Sequence, residues 1–155
     1  MQMLFRVALS IAAFFVGIDT VAAQPSPPRK ELELRLAGYK PLSAAQVISM
    51  FVGNTEVAVA LAKVGDVAPG EVAAKTFYRD TKVRISVPQG GPKAGKKFEG
   101  KWWMEGDFMC GERLVTGTGN SCWLAYEVGS SFYYCEQVGN CNILVRIVPG
   151  NPDGI

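Results

Sequence analysis

Ser121-Cys122-Trp123-Leu124-Ala125-Tyr126-Glu127-Val128-Gly129-Ser130-Ser131-Phe132-Tyr133-Tyr134-Cys135-Glu136 is the stretch that decides the fold. Two aromatic-rich runs, 121–127 and 131–136, flank a Val-Gly-Ser turn signal, and together they read as a β-hairpin. Its register depends on which residues make the turn. A turn at Val128-Gly129 sets Cys122 opposite Cys135. A turn at Gly129-Ser130 sets Cys122 opposite Gln137 instead. Gly-Ser suits a two-residue turn better, because the first turn position then needs positive φ.

The same signature repeats outward from this hairpin. Strand candidates lie around Gly100–Met104, Phe108–Val115 and Asn142–Val148, punctuated by Gly117-Thr118-Gly119-Asn120 and Gly139-Asn140. Upstream, Lys75–Tyr78 and Val83–Val87 are joined by Arg79-Asp80-Thr81-Lys82, a further hairpin. Val57–Leu61 is a short apolar run, Asp66–Gly70 is a turn or loop, and Pro88–Lys97 is a basic loop rich in glycine and proline. Short strands at this spacing predict an antiparallel meander.

One segment is helical in pattern. Ser43 caps the first turn and Gln46 completes a capping box. Leu42 and Val47 are placed as a hydrophobic staple, and Ala44, Val47, Ile48 and Phe51 share a face. Gly53 stops the helix, which spans 44–52. Glu31–Leu36 alternates charged and apolar residues and reads as a strand. The expected class is therefore α+β: one short N-terminal helix packed on a curved antiparallel β-meander or small open barrel, with two disulfides.

The N-terminus carries an address. A short segment with Arg6 precedes the apolar run Val7–Ile18, and Val21 and Ala23 form a small-residue cleavage site. Residues 1–23 read as a secretory signal peptide, since the run falls short of the roughly 20 residues that span a bilayer. Residues 24–40 are a Pro-rich lead-in followed by the uncertain strand, and 41–155 are a single β-rich domain. No transmembrane segment is expected after cleavage, and the location is periplasmic or secreted. Cys110, Cys122, Cys135 and Cys141 then read as two disulfides. They lack the close pairs of a thiolate zinc site, and no metal is expected.

The net charge is +2 and the chain has no histidine. That charge is not a nucleic-acid-binding balance. The absence of histidine removes Ser-His and Cys-His nucleophilic pairs and histidine-ligated catalytic zinc. No phosphate-cradling glycine motif is present, and no cofactor is expected. Glu105 and Asp107 beside Trp102 and Trp103 are the one carboxylate pair suited to sugar chemistry. Met104–Phe108 also reads as an ordinary turn, and that reading is preferred. Basic residues concentrate over 75–101, at Lys75, Arg79, Lys82, Arg84, Lys93, Lys96, Lys97 and Lys101. Lys93, Lys96, Lys97, Lys101, Trp102 and Trp103 form the candidate binding surface. Alternation sends one of the two tryptophans inward and the other outward.

The order of features resembles a family of small exported proteins of unknown function from rhizobia and related alphaproteobacteria. The likeness rests on Leu42–Val47 leading into Phe51-Val52-Gly53-Asn54-Thr55, and on Phe77-Tyr78-Arg79-Asp80. It continues through Gly100-Lys101-Trp102, Gly106–Cys110, Cys122–Tyr126 and the closing Pro149–Ile155. Thr81 departs from the family's glycine at that place. The resemblance implies a Cys110–Cys122 pair, with Cys135 and Cys141 as additions. Together with the Gly-Ser turn it favours Cys110–Cys122 and Cys135–Cys141 over Cys122–Cys135 and Cys110–Cys141. It implies no activity. The expected function is a non-catalytic binding or cell-envelope-associated protein, with an envelope component or another protein as partner. The alternative is an inhibitor of a secreted or periplasmic hydrolase.

Overall fold

The computed structural model describes residues 29–114, 119–137 and 139–155. The signal-peptide reading and the Pro-rich start of the lead-in lie outside the described residues, as do Val115, Gly117, Thr118 and Val138.

Eight strands follow one another in a meander: β2 Thr55–Ala60, β3 Val72–Tyr78, β4 Val83–Pro88, β5 Phe98–Glu105, β6 Phe108–Glu112, β7 Asn120–Val128, β8 Ser131–Cys135 and β9 Asn140–Val148. Each pairs antiparallel with the next. The meander closes because β9 has two occupied edges. It pairs with β8 from Phe132↔Val145 to Cys135↔Cys141. It pairs with β2 from Thr55↔Val148 to Ala60↔Ile143. The described residues are thus mostly β, a closed eight-stranded antiparallel barrel with two short helices, which corrects the α+β reading and the open sheet. Closure leaves no long edge among the eight strands. A two-residue β1, Arg29–Lys30, adds to the start of β9.

The Glu31–Leu36 segment is helix α1, not a strand. Tertiary docking overrides its alternating pattern. Leu34 is fully buried against Tyr126, Tyr133, Cys135 and Cys141 on the outside of the barrel. Glu31 is buried too, and it accepts from Tyr126 Oη and from Arg35 Nε one turn along. Helix α2, Ala44–Phe51, begins as expected: Gln46 N–H donates to Ser43 Oγ at 3.4 Å, and Ser43 N–H donates to Gln46 Oε1 at 2.9 Å. Among the described residues no helix is long and apolar enough to cross a membrane.

The register fixes which side chains enter the barrel. Glu56 lies opposite Thr76 on β3 and opposite Ile147 on β9. Continuing around the wall, the inward set includes Ala58, Tyr78, Arg84, Ser86, Gly100, Trp102, Met109, Gly111, Ser121, Trp123, Ala125, Tyr134, Ile143 and Val145. Helix α2 stops one end. Leu42, Val47 and Phe51 pack there with Tyr78, Trp102, Met109, Ala125, Tyr134 and Val145. Full burial of each large apolar side chain in this plug contributes roughly 1.5–3 kcal/mol. At the opposite end β2 leads to β3 through 61–71 and β4 to β5 through 89–97.

Both disulfides form on the preferred pairing, Cys110–Cys122 and Cys135–Cys141. The 121–136 hairpin turns at Gly129-Ser130, since Val128 faces Ser131 and Gly129 has φ 64°. Cys110 lies directly opposite Cys122. A bulge between Tyr134 and Cys135 brings Cys135 opposite Cys141. Two disulfides indicate an oxidising, extracytoplasmic environment.

Candidate functional site

An eight-stranded barrel is just wide enough for its side chains to fill the interior or to hold one small ligand. This barrel is filled by side chains at one end and keeps a cavity at the other. Beside α2 the interior is an aromatic plug: Phe51 meets Tyr78 edge to face at 5.3 Å, and Tyr78 meets Trp102 at 4.9 Å. Phe51 also stacks on Tyr134, and Trp123 lies parallel to the same ring at 6.1 Å. Past Trp123, toward the open end, a cavity of about 630 Å³ remains. Arg84 and Ser86 of β4, Ser121 and Trp123 of β7 and Ile143 of β9 line it. All five point inward by register, so the cavity reaches into the lumen, and Glu112, Cys122 and Asn142 from the other face of the wall border its mouth. Leu114, Asn120 and Glu136 border it at the rim.

Polar groups are built into the inner wall. Glu56 is buried and accepts from Tyr78 Oη at 2.5 Å and from Tyr134 Oη at 2.7 Å. Burial holds its carboxyl above the ordinary carboxylate range, opposed by those two hydroxyls and by the positive charge of Arg84. Burial, and then the Glu56 charge, push the Tyr78 and Tyr134 phenols well above their usual value. Thr76 and Ser86 pair their hydroxyls at 3.0 Å. The Arg84 guanidinium donates from Nη2 to Glu112 O at 2.6 Å, while its Nε is buried with no hydrogen-bond partner among the described residues.

The candidate surface read from the sequence is split by the barrel wall. Trp102 is 2% exposed, inside the plug, with Nε1 donating to Asp80 O at 2.7 Å. Trp103 and Lys101 stand on the outer face of β5. Lys93 sits 5.7 Å from the centroid of Phe98, and Lys97 Nζ donates to Gly154 O at 2.8 Å. Lys96 is exposed. These six residues therefore do not form one face.

Glu105 and Asp107 belong to the β5–β6 turn, where Glu105 faces Phe108 and Gly106 has φ 61°. Asp107 accepts from Ala44 N–H at 3.3 Å, at the start of α2, where a carboxylate is favoured. Glu105 also approaches Cys110 and Cys122. Their sulfurs are bonded to each other, so this group offers one carboxylate and not a thiolate metal site.

Sequence reasoning missed Arg84, Ser86, Ser121 and Ile143 as a group, and also Glu56. The signal available was the sequence of inner-wall sizes along β5, β6 and β7, which becomes readable once the barrel is known to close. Comparison with protein-family models, with curated proteins and with solved structures finds no match to this chain.

Proposed function

We propose that the chain is a non-catalytic binding protein, periplasmic or secreted, which holds a small molecule in the open end of its barrel. The single observation that carries this reading is the 630 Å³ cavity lined by inward-facing residues of β4, β7 and β9. Small-molecule sites are commonly this size and combine apolar walls with a few placed polar groups. Here Trp123 and Ile143 supply the wall, and Arg84 and Ser121 supply the polar groups. Binding is favoured over catalysis because the chain has no histidine, and because the inward carboxylate, Glu56, is engaged by two tyrosine hydroxyls. The disulfides support a working place outside the reducing cytoplasm.

The test uses N-phenyl-1-naphthylamine, a neutral dye that brightens in apolar surroundings, and the variant Ser121→Trp, which fills the lumen. Saturable brightening by the native protein, lost in a folded Ser121→Trp, is expected. Equal brightening by both proteins would place the dye on the outer surface and remove the reading.

A further inference from the structure

Arg84 is an unusual residue to find facing a barrel interior. It stands opposite Tyr78 and Gly100, both of which point inward. Its guanidinium lies over Gly111: a Cβ there would come within 2.7 Å of Nη2 and 2.8 Å of Cζ. The missing side chain at 111 is therefore the socket in which the guanidinium rests.

This cation lacks a direct counter-ion. Arg35 has Glu31, and Arg79 has Asp80 and Glu99. Among the described residues no carboxylate lies within 4.0 Å of an Arg84 nitrogen. Arginine keeps its charge at any ordinary pH, and a partly buried charge without an anion is costly. Other charged groups among the described residues lie on the inner wall or line the cavity. Glu56 is taken up by Tyr78 and Tyr134. The Glu112 carboxylate accepts from Lys101 N–H at 2.8 Å. Arg113 and Glu136 are exposed at the rim.

We infer that the cavity takes a small organic acid, its carboxylate received by Arg84 and its aromatic or branched apolar body laid against Trp123 and Ile143. This rests on the lumen being a ligand site. The planar guanidinium fork matches a carboxylate in geometry as well as in charge. A single inward cation beside an apolar wall suits a monoanion better than a doubly charged phosphate ester.

The experiment compares three probes with one aromatic body: 2-naphthoate, neutral 2-naphthalenemethanol and 2-naphthyl phosphate. Each is titrated calorimetrically at pH 7 into the whole protein, into Ser121→Trp and into Arg84→Met. The acid should bind the native protein about tenfold to a hundredfold more tightly than the alcohol, the range for a hydrogen bond to a charged group. Arg84→Met should erase that preference. Ser121→Trp should lose both probes. Equal binding of acid and alcohol, both lost in Ser121→Trp, would overturn the organic-acid inference and leave the lumen as a ligand site. Tighter binding of the phosphate than of the acid would also overturn it. Acid binding that persists in Ser121→Trp, or no binding of any probe, would overturn the inference and the lumen site together. The comparison of acid and alcohol on the native protein decides the matter even if Arg84→Met fails to fold.

Discussion

Replacing Glu56 by leucine tests the inner wall most directly. Tyr78 Oη and Tyr134 Oη both donate to Glu56 Oε2, at 2.5 and 2.7 Å, inside the barrel. In Glu56→Leu both phenols lose that acceptor, and what remains is the contact between the two hydroxyls and that of Tyr134 with Met109 Sδ at 3.5 Å. One phenol can donate to the other, so one buried donor is left unmade, at a cost of about 1–3 kcal/mol. That is a large part of the stability of an ordinary domain. The loss should depend on pH. Burial raises the Glu56 pKa above its unfolded value, so the folded state keeps the proton to higher pH than the unfolded state does. The stabilisation from this group is therefore complete below its unfolded pKa of about 4.3 and declines as pH rises through the folded value. Glu56→Leu should consequently cost more at pH 4 than at pH 8. Glu56→Gln keeps an acceptor for the tyrosines and removes the pH-dependent part. Urea unfolding followed by tryptophan fluorescence at both pH values measures this. Glu56→Leu combined with Tyr78→Phe and Tyr134→Phe should recover much of the loss, because donors and acceptor then vanish together. A single variant within about 0.5 kcal/mol of native at both pH values would refute the reasoning, since that is the usual scatter of a neutral substitution. A triple variant no more stable than the single one would refute it too.

Two further outcomes follow from the fold. Each disulfide closes a short loop, with sequence separations of 12 and 6, so replacing either pair by alanine should cost about 2–3 kcal/mol on the chain-entropy account; urea midpoints of the two double variants check this. Gly129→Val places a β-branched residue at φ 64° in the hairpin turn and should cost about 1–2 kcal/mol, read as a lower thermal midpoint with the barrel's circular dichroism retained.

Much of the local structure was legible because its causes are local. Ser43 and Gln46 cap α2 through atoms three residues apart. Gly129-Ser130 sets the register of the hairpin, and that register, with the resemblance, led to the disulfide pairing the structure shows. Closure was not legible, because it joins residues 55–60 to residues 143–148, and no local pattern carries so distant a pairing. Helix α1 was misread for a related reason: Leu34 and Glu31 find their partners on β7, β8 and β9, and that docking decides their conformation.

The cavity was hidden by an ambiguity of alternation. In Val83-Arg84-Ile85-Ser86-Val87 the period of two separates Arg84 and Ser86 from the aliphatic residues without saying which set faces in. Hydropathy alone would turn the valines inward. The barrel does the reverse, and the outward Val87 borders a crevice with the buried Ile155 of the C-terminal segment. A better guide lies in residue size. On β5 the inward residues from the open end are Phe98, Gly100 and Trp102, on β6 Gly111 and then Met109, and on β7 Ser121 and then Trp123. On all three strands a small residue is thus followed by a large one toward α2, and on β5 the small one comes after Phe98. The large ones make the plug. The two glycines leave sockets, taken by Leu114 over Gly100 and by Arg84 over Gly111, and both occupants line the cavity. The small inward residues leave room that Leu114 and Arg84 occupy only in part, and the charge at the cavity wall comes from the residue that Gly111 admits.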